Sequence, residues 1–327
     1  MKKIVESKVK KILVISLTNL GDIVVTFPVI DILRRDFPLA DLGVMIGPKG
    51  KSLLIDNPKI EHLYIYDKHM SLGNKWRWLN QLRKERFDFI VDLRHTVFPL
   101  LLRPRYATSL IRRRIPGEHM RDQHLRCLYG VHPADISKER YAFFPSPQDV
   151  QAVDDFLYRH LQREDRIAVF APGAADHRKR WTENGFAMVG DYLAQECGLK
   201  IVLVGTEQES GMMNRIMARM HMTALDACGV LSLAQTGVLL SRAAICVVND
   251  SGVMHLASYL GTPTVALYGP TNPVLSGPWG DWSGFIQHNK DCMACREKNE
   301  LAEHTCMEAI DPQEVCAMAQ RLLNPTF

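Results

Sequence analysis

The chain has 327 residues, of which 46% are hydrophobic and 23% charged, and a formal net charge of +4. This length exceeds one ordinary core and suits two α/β domains of about 150 residues each. The composition is that of an ordinary globular protein, and no stretch reaches the roughly 18 uninterrupted apolar residues of a membrane span.

The start, MKKIVESKVKK, is basic but lacks an apolar core and a small-residue cleavage site. No secretory signal is expected, and the expected location is the cytoplasm. KILVIS (11–16) reads as a buried strand, and residues 27–37 have helical periodicity. Between them lies SLTNLGDIVVTFP (16–28). A strand, a glycine turn and a helix usually mark a nucleotide phosphate site. Here, however, the helix is expected to begin with Asp22, whose carboxylate would repel a phosphate. A plain helix cap is the bland use of such an aspartate.

LGVMI (42–46), HLYIY (62–66) and FDFIVDL (87–93) read as further strands, with helices between them such as one at 75–85. This alternation predicts a parallel sheet covered on both faces. Residues 103–126 then carry Arg103, Arg105, Arg112, Arg113, Arg114, Arg121 and Arg126, opposed only by Glu118 and Asp122. Such a run is either a solvated basic face or a patch for an anionic partner or membrane surface. No zinc finger, RNP signature or aromatic-basic interleaving supports nucleic acid as that partner. Residues 112–147 are expected to be irregular.

A helix over 147–162 is expected to bridge the domains, giving a first domain of 1–162 and a second of 163–327. The alternation restarts with strands at 166–173, 199–205, 244–250 and 262–269 and helices at 183–197, 232–243 and 251–261. The expectation is two doubly wound α/β domains facing across a cleft. Ligands in such sheets bind at the carboxyl ends of strands, which selects loops 17–22, 93–99, 171–181, 205–209, 249–255 and 269–273.

In APGAADHRKRW (171–181), Gly173 lets backbone approach an anion, Lys179 and Arg180 add positive charge, and Trp181 is expected to wall the site. The functional reading is a diphosphate clamp, because a leaving group needs preorganised cations. The bland reading is a solvated loop. In NDSGVMHLASYLG (249–261), Ser251 and Gly252 leave the amides of a helix start open to an anion. Asp250 has helix capping as its bland role, and His255 reads as a core or capping histidine. Glu207 and Glu209 follow a strand, where a carboxylate commonly accepts ribose hydroxyls; a charged first helical turn competes with that reading. No two aspartates stand two apart, and there is no P-loop or G-x-G-x-x-G. A diphosphate here would be neutralised by Lys179 and amides, with no cofactor required.

Cys127, Cys197, Cys228 and Cys246 read as small core residues. Cys292 and Cys295 have metal-ligand spacing, with Cys306 and Cys316 as possible completing ligands, but a second C-x-x-C is lacking. No metal is therefore expected.

Taken together, the Gly-Asp turn with TFPVIDILRRDFP, the PGA…KRW stretch, the NDSGVMHLASYLGTPTVALYGPTNP block and the late cysteine region resemble the lipopolysaccharide heptosyltransferases, glycosyltransferase family nine. The resemblance is colinear over most of the chain. It implies a GT-B fold of two Rossmann-like domains with the active site between them. It also implies an inverting, metal-independent transfer of heptose from ADP-heptose to the anionic lipopolysaccharide inner core, at the cytoplasmic face of the inner membrane. By position, Asp22 corresponds to the general base and Lys179 to the phosphate-binding lysine. Asp250 corresponds to the donor-sugar carboxylate, and Ser251, Gly252, Val253, Met254 and His255 to the pyrophosphate-binding helix start. Glu209, rather than Glu207, is favoured for ribose. Asn19, Gly21, Arg103, Arg105, Arg112, Arg113 and Arg114 are acceptor-side candidates. The rival readings are heptose transfer to a protein, a GT-B nucleotide-sugar epimerase, and a non-catalytic glycolipid-binding protein.

Overall fold

A computed structural model of the chain describes residues 4, 6–67, 69–111, 115–288 and 305–324. It divides into two compact units, 1–146 and 147–327. The boundary falls before the Pro147–His160 helix, not after it. That helix packs on the Leu233–Arg242 helix of the second unit, with Val153 and Phe156 buried.

The first unit is built on β1 (Lys11–Ile15), β2 (Asp41–Ile46), β3 (His62–Ile65), β4 (Phe89–Asp92) and β5 (Tyr106–Ala107). Their order across the sheet is β3-β2-β1-β4-β5, and every pairing is parallel. The inner strands are buried on both faces, which suits their continuous apolar, β-branched sequences. The direction of winding reverses between β1 and β4, so loops 16–22 and 93–97 leave the sheet side by side at its carboxyl edge.

The second unit repeats this plan with β6 (Arg166–Ala171), β7 (Leu199–Leu203), β8 (Ala224–Asp226), β9 (Ile245–Asn249), β10 (Thr264–Tyr268) and β11 (Ser283–Gln287). The order β8-β7-β6-β9-β10-β11 is again all parallel. The switch point lies between β6 and β9. Its core joins Phe170, Phe186, Val247 and Leu267 to Cys306, Met307 and Val315 from the end of the chain.

Two expectations are corrected. The helix carrying Asp22 starts at Leu20 and ends at Val25, and a second helix runs from Phe27 to Asp36. The break is local chemistry: Thr26 Oγ1 donates back to the Ile23 carbonyl at 2.7 Å, and Pro28 starts the new helix, where its missing N–H costs nothing. Residues 112–147 are not wholly irregular either, since Met120–Tyr129 is helical. His119 caps it by accepting from the Arg121 amide, and His124, Leu125 and Leu128 turn inward. Its Arg, Asp and Gln residues mask a stripe that is apolar only on one side.

Candidate functional site

In the first unit, Asp22 sits on the first turn of the Leu20–Val25 helix, which follows β1. The N-cap is Asn19, and its side chain makes no capping bond. Instead Asn19 Nδ2 donates to Asp22 Oδ2 at 3.1 Å. Asp22 is thus a half-exposed carboxylate oriented by a neighbour, and capping does not explain it. The turn beneath it is tight. A Cβ on Gly47, which follows β2, would lie 2.7 Å from Thr18 Cα, so only glycine lets the two loops close. Ser16 Oγ and Thr26 Oγ1, both buried, meet at 2.7 Å under the helix start.

Beside this turn, Asp92 ends β4 and is fully buried. It accepts from the amides of Arg94 and Thr96 and from Thr96 Oγ1, which shapes the 93–97 loop. A cavity of about 320 Å³ opens there, lined by Leu93, His95, Ser109, Ile111, Gln123 and Arg126 among others. The arginine run is partly neutralised: Arg126 pairs with Glu118 at 2.7 Å and Arg121 with Asp122 at 2.8 Å. Arg103 and Arg105 are exposed. Arg112, Arg113 and Arg114 lie outside the described residues.

In the second unit, four loops meet at the carboxyl edge. Asn249, at the end of β9, is fully buried and ties two of them. Its Nδ2 donates to the Pro172 carbonyl at 2.6 Å, and its Oδ1 accepts from the Trp181 amide at 3.2 Å. Trp181 does not wall the site; it is buried in the core, its Nε1 donating to the Ile310 carbonyl. The short turn His177–Lys179 is capped by Asp176, which also holds Arg178 in an ion pair at 2.6 Å. The Arg178 guanidinium pulls the Asp176 carboxyl down to about 2. Arg180 donates to the Ala174 carbonyl at 2.9 Å and so braces its own loop. That leaves Lys179 as the cation that crosses the switch point.

Lys179 Nζ meets Asp250 Oδ2 at 2.7 Å. Thr271 Oγ1 donates to the same oxygen at 2.6 Å. Tyr268 Oη lies 3.5 Å from Asp250 Oδ1 and donates to the Ser276 carbonyl at 2.7 Å. Burial, and next the Asp250 charge, raise the Tyr268 phenol well above its ordinary range. Asp250 is only 7% exposed, and the cap position of the following helix belongs to Ser251. The capping role considered for Asp250 is therefore not the one it plays. Ser251 Oγ is buried and finds no partner among the described residues. It stands at the start of the Gly252–Leu260 helix, where backbone N–H groups are open.

The other expected donor-side residues sort by exposure. Gly252 and Val253 are half-buried, whereas Met254 is fully buried, backbone included. His255 is buried and stacks on Trp279, with ring centroids 6.0 Å apart. Glu207 is exposed. Glu209 instead bends back over the Gly173 turn, accepting from Thr206 N and Oγ1 at 2.8 and 2.9 Å. A Cβ on Gly173 would collide with Glu209 Oε1, so the carboxylate can lie this close only over a glycine.

The residues the sequence reading missed are Asn249, Tyr268 and Thr271. The N-D-S-G and G-P-T-N-P runs held the available signal, but which side chain turns to Asp250 depends on strand pairing. Of the late cysteines, Cys306 is fully buried and Cys316 packs against the same core, with its thiol pushed up to about 11 by burial. Cys292 and Cys295 lie outside the described residues. Among the described residues, no group of three or more His, Cys, Asp or Glu side chains could hold a metal ion, and no helix is long and apolar enough to cross a membrane.

Residues 135–306 match the family described as Glycosyltransferase family 9 (heptosyltransferase). Lipopolysaccharide heptosyltransferase 2 of Salmonella typhimurium is 26% identical over 96% of this chain and 99% of its own length. The enzyme of the same name from Escherichia coli is 25% identical, again over 96% of this chain and 98% of its own. Among solved structures, a family 9 glycosyl transferase from Veillonella parvula superposes with a TM-score of 0.79 at 24% identity, covering 96% of this chain and 97% of its own. ADP-heptose lps heptosyltransferase II of E. coli gives a TM-score of 0.73 at 23% identity, covering 96% and 98%. These likenesses span both Rossmann-like units and identify the fold as GT-B. The family match covers more than half of the chain, which therefore belongs to glycosyltransferase family 9, the heptosyltransferases, and is a glycosyltransferase.

Proposed function

We propose that this chain transfers heptose from ADP-heptose to the lipopolysaccharide inner core, with inversion and without a metal, and that Asp22 is the general base. The observation that carries the reading is that Asp22 does not cap its helix but stands half-exposed at the carboxyl end of β1, steadied by Asn19. The relatives that support the substrate classes are named for heptose transfer to lipopolysaccharide.

An acceptor hydroxyl is a poor nucleophile until its proton is drawn away as the new bond forms. A carboxylate within hydrogen-bond reach does this. The oxygen then attacks the anomeric carbon while the bond to the ADP oxygen breaks on the opposite side, so the configuration inverts. Charge grows on the leaving diphosphate. Lys179, the Ser251 hydroxyl and the amides of Gly252 and Val253 are suited to receive it. Asp250, held by Thr271, would face the sugar and keep Lys179 aimed. Glu209, turned over Gly173, would accept the ribose hydroxyls. Because an anionic lipid-linked acceptor lies in a bilayer, the protein would work as a peripheral protein at the cytoplasmic face of the inner membrane.

The test is Asp22→Asn, assayed with a panel of ADP- and UDP-sugars and truncated lipopolysaccharide cores by mass spectrometry. Turnover should fall roughly 100-fold or more with ADP binding retained. Near-normal transfer by the variant would remove Asp22 from the chemistry, and transfer from a UDP-sugar alone would overturn the donor.

A further inference from the structure

The helix Phe98–Leu102 follows β4 and is apolar on every side. Its inner face packs on the first unit, the Phe98 ring lying 5.8 Å from both Tyr66 and Trp78. Its outer face has no such cover: Val97 is 62% exposed and Leu100 61%. Ile111, 76% exposed, belongs to the neighbouring loop after β5, and the His95 ring joins the two loops through the Ser109 carbonyl at 3.1 Å. A helix apolar all round is normally buried in protein or in lipid. The backbone holds this one outward, since both flanks turn through the left-handed region at non-glycine residues, His95 (φ 55°) and Arg103 (φ 52°).

Charge completes the pattern. Arg103 and Arg105 are exposed beside the apolar face, and among the described residues neither lies within 4.0 Å of a carboxylate, unlike Arg121 and Arg126. We propose that Val97, Leu100 and Ile111, flanked by Arg103 and Arg105, are the surface with which this chain docks on an anionic lipid bilayer. Apolar side chains that enter the headgroup boundary and arginines that meet anionic lipid are the two parts of interfacial binding. The position suits the acceptor reading, on which this inference rests. β5 lies two strand spacings, roughly 10 Å, from β1, and both open onto the edge that carries Asp22. A chain docked here would present Asp22 to a lipid-linked hydroxyl.

The experiment is flotation of the full chain with phosphatidylcholine vesicles, with and without phosphatidylglycerol, and with a salt series. The variants are Val97→Asn with Leu100→Asn, and Arg103→Gln with Arg105→Gln. Leu39→Asn is the control, because Leu39 is 96% exposed but lies before β2, at the opposite edge of the sheet. Wild type should float only with the anionic vesicles. The arginine pair should lose roughly 25-fold in partitioning, about fivefold for each charge, and the apolar pair roughly tenfold or more. The control should match wild type. Equal binding to neutral vesicles, wild-type binding by either pair, or an equal loss in Leu39→Asn would overturn the proposal. So would a fall in oligomeric state in the apolar pair without change in flotation, which would mark the patch as a contact between copies. Transfer to a soluble, delipidated core should be unchanged in the apolar pair. Failure of wild type in that assay would count against the functional reading and leave the vesicle result standing.

Discussion

Replacing Asp250 with Asn tests how the second unit divides its work between stability and binding. The amide keeps the shape of the carboxylate. Its oxygen can still accept from Lys179 and Thr271, now found at 2.7 and 2.6 Å, and its NH2 can face Tyr268 Oη. What is lost is the charge in two charge-assisted bonds. Hydrogen bonds to charged groups contribute about 1.5–3 kcal/mol and neutral ones about 0.5–1.5. Two such differences, offset in part by relief of the Tyr268 contact, come to about 1–2 kcal/mol. For a unit of this size that lowers Tm by roughly 2–8 °C. Binding should move the other way. A carboxylate about 5 Å from a diphosphate opposes it by about 3 kcal/mol at an effective dielectric near 20, before solvent screening. With Lys179 freed of its counter-ion, ADP should bind roughly tenfold tighter while transfer falls. Thermal denaturation and titration calorimetry with ADP read the two effects. An unchanged Tm with weaker ADP binding would refute the reasoning, because Asp250 would then be holding nucleotide and not balancing Lys179.

Three further outcomes follow from the same geometry. Ser251→Ala should raise stability by about 1 kcal/mol, since it deletes a buried hydroxyl with no partner, yet weaken ADP binding several-fold; loss of stability with unchanged binding would deny Ser251 a part in the site. Gly173→Ala should expel the Glu209 carboxylate from its place and weaken ADP far more than AMP-free diphosphate, whereas equal losses for both would disconnect Glu209 from ribose. The acid limb of stability should depend on Arg178. The Asp176 carboxyl falls from 3.8 to about 2 on folding, so its stabilisation is complete above pH 3.8 and is lost as pH falls toward 2. Tm-against-pH curves of wild type and Arg178→Gln should therefore converge near pH 2, and a constant gap down to that pH would refute the pairing.

Much of this architecture was legible in residue order. The apolar runs of β1, β4, β6 and β9 and the glycine turns behind them announce parallel strands with loops gathered at one edge. Asp22 stood out because a carboxylate there would repel a phosphate, Lys179 because a leaving diphosphate needs a cation, and Asp250 through the family resemblance. Other features needed three dimensions. Asp22 and Asp250 both had helix capping as a rival role, and only the backbone path gives the caps to Asn19 and Ser251. Thr271 and Tyr268 reach Asp250 because β10 lies beside β9, a long-range pairing that no local pattern encodes. Trp181 looks like a site residue in sequence and is core in space, since its indole follows the Ile310 carbonyl 129 residues away. The sequence alone determined the strand-loop-helix alphabet and the charges at its corners, because those depend on local periodicity and turn chemistry. Tertiary structure alone decided which charges meet, which hydroxyl is left over and which apolar helix face stays uncovered, because each depends on contacts between strands far apart in the chain.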